Sequence, residues 1–124
     1  MKFPGLAALA FVAVFTSSSI VAAQEARQDF ELVNETGYDI SHVFVSPTRS
    51  DDWEEDVLGK DVLSDGDEWE IRFSRAAKTC KWDLKVVYAD DDSAAYWRAI
   101  DLCKVGRITI HYDRKSDTTS AEFE

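Results

Sequence analysis

Histidine, cysteine and proline each occur only twice in these 124 residues, and methionine once. His42 and His111 have no nucleophile elbow and no Cys/His signature around them, so a triad of Ser-His-Asp or Cys-His type has no footing in the sequence. Structural zinc takes four ligands from Cys and His at short spacings, and two of each at no such spacing do not provide them. Long hydrophobic runs are missing too. The longest, from Leu6 to Phe15, covers 10 residues, whereas crossing a bilayer as a helix takes roughly 20. Positive charge is the remaining scarcity: 14 Lys and Arg stand against 24 Asp and Glu, a net charge of −10. Such a polyanion is repelled by phosphate backbones and anionic lipid, which argues against nucleic acid and acidic membrane surfaces as partners. A basic protein, a polyamine or a metal ion stays open, and high net charge also keeps an exported chain soluble.

What is present begins at the N-terminus. Met1-Lys2, the apolar run to Phe15, and Thr16-Ser17-Ser18-Ser19 followed by Val21-Ala22-Ala23 make a basic n-region, an h-region and a small-residue cleavage site. This pattern predicts a secretory signal peptide over residues 1 to 23. No Cys sits near the cut after Ala23, so a lipid anchor has no attachment point. Of the 124 residues, 101 would remain, with Lys2 the only basic residue lost, so 13 basic side chains would face 24 acidic ones for a net charge of −11. A product of this size builds a single core. The expectation is a soluble, periplasmic or secreted monomer with no membrane anchor.

In an oxidising compartment the two cysteines, Cys80 and Cys103, are expected to form a disulfide. Closing that loop is worth roughly 3 to 3.5 kcal/mol in the chain-entropy account.

Residues 24 to 29 read as a flexible leader. Between 30 and 113, short alternating runs separated by turn residues predict an all-β domain, a small antiparallel β-sandwich or open barrel. Phe30 and Leu32 share one face of a first strand that ends at Asn34-Glu35-Thr36-Gly37. A second runs from 38 to 46, stopped by Pro47, and the two are expected to form a hairpin. Asp51-Asp52-Trp53-Glu54, with Val57-Leu58 and Gly59 beyond, resembles an acidic helix start and a C-cap, so one or two helical turns are expected over 52 to 58. Ser64-Asp65-Gly66-Asp67 is a turn, and Trp69, Ile71 and Phe73 alternate with Glu70, Arg72 and Ser74 behind it. Cys80, Trp82, Leu84, Val86 and Tyr88 alternate in the same way up to Asp90-Asp91-Asp92-Ser93. Strands over 95 to 103 and 108 to 112 follow, and residues 114 to 124 read as a polar, frayed tail. Centring the acidic turn between Asp91 and Asp92 sets Cys80 opposite Cys103. It also sets Lys85 against Arg98 and leaves Ile100 and Leu102 on the polar face. Either a bulge near Arg98 or coverage of both faces would relieve this conflict.

Candidate chemistry is thin, and no catalytic residue, metal ligand or cofactor is assigned. The acidic clusters Asp51-Asp52 with Glu54-Glu55-Asp56, Asp65-Gly66-Asp67 and Asp90-Asp91-Asp92 offer oxygen to calcium, but none matches the twelve-residue calcium loop, and Asp is a turn former in its own right. Asn34-Glu35-Thr36 fits a glycosylation acceptor if the host is eukaryotic. Trp69, Trp82 and Trp97 sit in alternating strands as core residues. Trp53 lies instead in an acidic, polar insertion, an aromatic anchor beside fixed charge of the kind that makes a binding hot spot. Trp53, Glu54 and Asp56 are therefore the candidate binding residues. The favoured function is a non-enzymatic binding module for an unknown protein or small ligand. A small secreted hydrolase and a calcium-stabilised structural domain are the alternatives.

The chain resembles a group of short exported bacterial proteins of unknown function. The residues that carry the resemblance are Asn34-Glu35-Thr36-Gly37, Val45-Ser46-Pro47, Trp53 with Asp56-Val57-Leu58-Gly59, Val62-Leu63 before Gly66, Cys80 with Trp82-Asp83-Leu84, and Asp101-Leu102-Cys103. The resemblance implies export, a β-rich domain and one Cys pair. Some of those proteins carry an argininosuccinate lyase label; a lyase of that name is a large helical tetramer, and nothing in these residues builds its site. No catalytic residue is carried over.

Overall fold

Alternating apolar residues in this chain become strands, and the strands divide between two sheets. The computed structural model describes residues 26 to 124; the expected signal peptide lies outside the described residues. Among the described residues seven strands follow one another: β1 (Phe30–Glu35), β2 (Ile40–Pro47), β3 (Glu68–Ile71), β4 (Lys81–Tyr88), β5 (Ala94–Asp101), β6 (Arg107–Asp113) and β7 (Thr118–Phe123). One sheet has the order β3-β1-β6-β7 and the other β2-β4-β5. All neighbours are antiparallel except β1 and β6. Phe30, Leu32, Ile108 and Ile110 from the larger sheet and Val43, Leu84 and Val86 from the smaller meet in one core, a sandwich-like arrangement with no closed barrel.

The expected β1–β2 hairpin does not form, because the two strands belong to different sheets. Asn34, fully buried, makes the crossing. Its amide donates to the carbonyls of Tyr38 at 2.8 Å and Leu63 at 2.9 Å, and its oxygen accepts from the Thr36 amide and hydroxyl at 3.0 and 2.7 Å. The side chain satisfies a corner that neither sheet's ladder can reach. With both of its hydrogens committed inside the fold, Asn34 has no place for a glycan.

The expected helix over 52 to 58 is also absent; among the described residues there is none. Seven residues are too few to sustain a helix unaided, and tertiary contacts draw this segment along the edge of β2 instead. Asp56 bridges to Phe44, and its carboxylate accepts from the Val43 and Leu58 amides, both at 3.0 Å. Val57 donates to the Val43 carbonyl at 2.8 Å, while Leu58 and Leu63 are buried in the core. Gly59, at φ 61°, turns the chain in a conformation that a side chain would strain. The insertion thereby covers an edge that would otherwise be open to pairing.

At the other end of the chain, residues expected to fray form β7. Thr119, Ala121 and Phe123 stand opposite Tyr112, Ile110 and Ile108. Part of the expected leader belongs to the fold as well. Gln28 is buried and donates to the Ala77 and Thr79 carbonyls at 2.9 and 3.0 Å, and Asp29 accepts from the Phe73 amide at 2.7 Å.

Cys80 and Cys103 form the disulfide, with their Cα atoms 5.3 Å apart. The β4–β5 register differs from the one expected, since Lys85 pairs with Tyr96 and Leu84 with Trp97. Between Leu84 and Trp82 the register shifts, and Ala99 adopts φ 55°. The extra residue of this bulge reverses the alternation beyond it, so Ile100 and Leu102 turn into the core at 8% and 1% exposure. Asp83, itself buried, holds the bulge: it accepts from the Ala99 amide at 2.8 Å, the Thr48 hydroxyl at 2.9 Å and the Arg98 guanidinium at 3.0 Å. Charge repulsion between Lys85 and Arg98 is thus avoided by moving both side chains to other partners.

Candidate functional site

On the three-stranded sheet, alternation sends Phe44, Lys85 and Tyr96 to the side away from the core, and the register lines them up as one cross-strand row. Trp53 comes from the insertion to join them, its ring centroid 6.1 Å from that of Tyr96. The Lys85 ammonium lies 5.4 Å from the Phe44 centroid, 5.5 Å from Tyr96 and 5.9 Å from Trp53. Three aromatic faces within the range of cation–π attraction hold this charge centrally among them. Tyr96 remains 51% exposed, and Trp53 and Phe44 are half-buried.

The row continues on its β2 side. His42 stacks on Phe44 with centroids 6.0 Å apart and planes 22° apart, and its Nδ1 lies 2.7 Å from an Asp56 oxygen. Asp56 thus performs two tasks: one oxygen fixes the insertion to β2 and the other orients His42. The structure brings Trp53 and Asp56 onto the same face but separates Glu54 from them. Glu54 lines a different groove of about 460 Å³, with Val45, Val57, Phe73 and Trp82. Phe44, Lys85, Tyr96 and His42 were missed in the sequence, because Phe44 and Lys85 meet through the β2–β4 pairing, which alternation alone does not specify, and Tyr96 joins Lys85 in a β4–β5 register other than the expected one. The signal that could have found them is the aromatic and cationic content of the outward positions once Lys85 is placed opposite Tyr96. Of the other three tryptophans, Trp82 is buried, and Trp69 and Trp97 pack against the core.

Each histidine has a carboxylate neighbour, with His111 Nε2 3.2 Å from Glu122. The two rings stand on different sheets, and among the described residues no hydroxyl or thiol hydrogen-bonds either one. Among the described residues no hydroxyl or thiol is therefore in hydrogen-bond contact with an imidazole base. The acidic clusters spend carboxylates on the fold: Asp65 accepts from the Gly37 amide of the β1–β2 crossing at 2.8 Å, and Asp91 from the Ser93 amide and hydroxyl of its own turn at 3.0 and 2.7 Å. Among the described residues, the ligand-type atoms that converge belong to Cys80, Asp101 and Cys103, and disulfide sulfurs are not thiolate ligands.

Comparison with protein-family models, with curated proteins and with solved structures finds no match to this chain. The functional reading accordingly rests on the residues themselves. The disulfide fits a location outside the reducing cytoplasm, and no helix among the described residues is long and apolar enough to cross a membrane.

Proposed function

We propose that this protein is an exported, non-enzymatic interaction module that engages a partner protein through the outer face of the β2-β4-β5 sheet. The observation that carries the reading is the Phe44–Trp53–Tyr96 group around Lys85. Aromatic rings left half-exposed on an ordered sheet, rimmed by charge, have the composition of an interface anchor, in which a few Trp and Tyr residues supply most of the binding energy. Asp51 and Asp52, exposed immediately before Trp53, and Asp56 against His42 supply carboxylates beside the rings, so the matching partner surface presents an apolar pocket flanked by basic groups. The signal-peptide pattern and the disulfide support export, and the resemblance to short exported bacterial proteins is consistent with it.

The test is cross-linking of the tagged protein in its native extracytoplasmic compartment, followed by affinity measurement with the purified partner. Trp53→Ala and Tyr96→Ala should each weaken binding by about tenfold or more, as expected for hot-spot truncation, while leaving the melting temperature near that of the parent. Undiminished affinity in a folded double variant would remove this face as the binding surface.

A further inference from the structure

Among the described residues the two sheets end on four strands, β3, β7, β2 and β5. An open edge offers unpaired backbone groups to another chain, and folds blunt it with brevity, charge, bulges or a covering segment. β2 is covered by the Asp56 and Val57 contacts of the insertion. β3 has only four residues, Glu68 and Glu70 among them, and β7 carries Glu122. The second half of β5 has Arg98 and the bulge at Ala99. Its first half, Ala94-Ala95-Tyr96-Trp97, has none of these devices.

The ladder shows which backbone groups of that half are open. The Tyr88 amide donates to the Ser93 carbonyl at 2.8 Å, and Val87–Ala94, Val86–Ala95, Lys85–Tyr96 and Leu84–Trp97 follow in the same register. Hydrogen-bonded and non-bonded pairs alternate along an antiparallel ladder. Ala95 and Trp97 therefore turn their N–H and C=O groups to β4, whereas Ala94 and Tyr96 turn theirs outward. Among the described residues no other backbone group pairs with these outward ones. Both residues are exposed.

Symmetry selects the occupant. When a second β5 lies antiparallel to the first with a two-fold axis at Ala95, Ala94 of each copy forms a hydrogen-bonded pair with Tyr96 of the other, and every outward group of both residues is satisfied. The small Ala94 side chain leaves space for the Tyr96 ring beside it. The same register carries Arg98 of each copy to the Asp90-Asp91-Asp92 turn that precedes β5 in the other. Arg98 gives one guanidinium nitrogen to Asp83 while its side chain stays 69% exposed, so donors remain for those carboxylates. At a net charge of −10 two chains repel at a distance, and only an arrangement that sets opposite charges together at the contact offsets this.

We propose that two copies of this protein join through the Ala94–Trp97 edges of β5, merging their three-stranded sheets into one continuous sheet. The dimer replaces the monomer expected from sequence. Its pairing uses the backbone edge and not the ring faces, so it does not rest on the function proposed above. It places the Phe44–Trp53–Tyr96 groups of both copies on one surface.

The experiment is sedimentation equilibrium of the purified, disulfide-bonded protein from about 10 μM to about 1 mM, a range that reaches the weak association of a small interface. Amide hydrogen exchange by NMR accompanies it at both ends of the range. A monomer–dimer equilibrium is expected, with slower exchange of the Ala94 and Tyr96 amides at the higher concentration and unchanged exchange along β7. Ala94→Pro removes an outward N–H and no bond to β4, and should weaken dimerisation about tenfold or more, since the lost bond occurs twice by symmetry. Arg98→Met should weaken it several-fold, and Trp53→Ala should leave it unchanged. A protein that stays monomeric at about 1 mM, as it would if the edge served an extended segment of another protein, overturns the proposal. A dimer that Ala94→Pro leaves intact, or one that protects β7 in place of β5, overturns it as well. Exchange in the unaltered protein keeps the test decisive should Ala94→Pro fail to fold.

Discussion

On the four-stranded sheet the side chains pointing away from the core include Glu31, Val33 and Glu35 from β1, Glu68 and Glu70 from β3, Arg107, Thr109 and His111 from β6, and Ser120 and Glu122 from β7. On the three-stranded sheet the corresponding positions include His42, Phe44, Lys85 and Tyr96, with Trp53 laid beside them and the Asp83–Arg98 pair beyond. Both faces follow the same two-residue alternation. The first is mainly a ladder of charges, interrupted by Val33 and Thr109, in which Arg107 lies 3.1 Å from Glu31 and offsets part of the carboxylate repulsion. Glu31 and Glu68 share a hydrogen bond that lowers the pKa of the first and raises that of the second. The second exposes rings that water solvates poorly, on a sheet whose register is fixed by a disulfide, a bulge and a buried carboxylate. The difference teaches that the same alternation gathers aromatic rings over the outer face of one sheet and mainly charges over that of the other, while Phe123, at the edge of β7, is exposed singly.

That comparison can be broken at the supports of the three-stranded sheet. Reducing the Cys80–Cys103 bond should have the largest effect, lowering stability by about 3 to 3.5 kcal/mol; urea unfolding with and without reductant measures it. No change in midpoint would mean that the β4–β5 hairpin is held by packing alone. Asp83→Ala should cost about 2 to 3 kcal/mol, because the Ala99 amide and the Thr48 hydroxyl lose their acceptor in a buried setting. Arg98→Met should cost under about 1 kcal/mol, since the guanidinium is largely in water and its ion pair is screened. Equal losses for the two variants would show that Asp83 acts through the ion pair and not through the bulge. The smallest effect is expected on the opposite face, where Glu70→Gln combined with Glu122→Gln should stay within about 0.5 kcal/mol and leave partner binding unaltered. A loss of binding there would erase the distinction between the two faces.

Much of the strand content was legible. Phe30, Leu32, Ile108 and Ile110 lie in the core as their alternation implied. β7 was not legible, because Thr119 and Ala121 carry little hydrophobic signal and gain their place only by pairing with Tyr112 and Ile110. The helix expected over 52 to 58 rested on local capping chemistry, and Asp56 instead spends its carboxylate on β2 and His42. Of the candidate site, Trp53 and Asp56 were identified from sequence and share the face, whereas Glu54 does not. Its other members lie on strands that meet only in the tertiary structure.

By itself the sequence determined an acidic, strand-built chain with two cysteines placed to close one loop, because composition, alternation and cysteine spacing are local properties. Which strands share a sheet, where the β5 bulge reverses the pattern, and which aromatic rings meet were decided only by the tertiary structure. The physical reason is that alternation fixes two faces for each strand but not its partner. Here the partners were selected by distant contacts: the buried Asn34 corner, the Asp83 clasp on Ala99, and the shared core beneath both sheets.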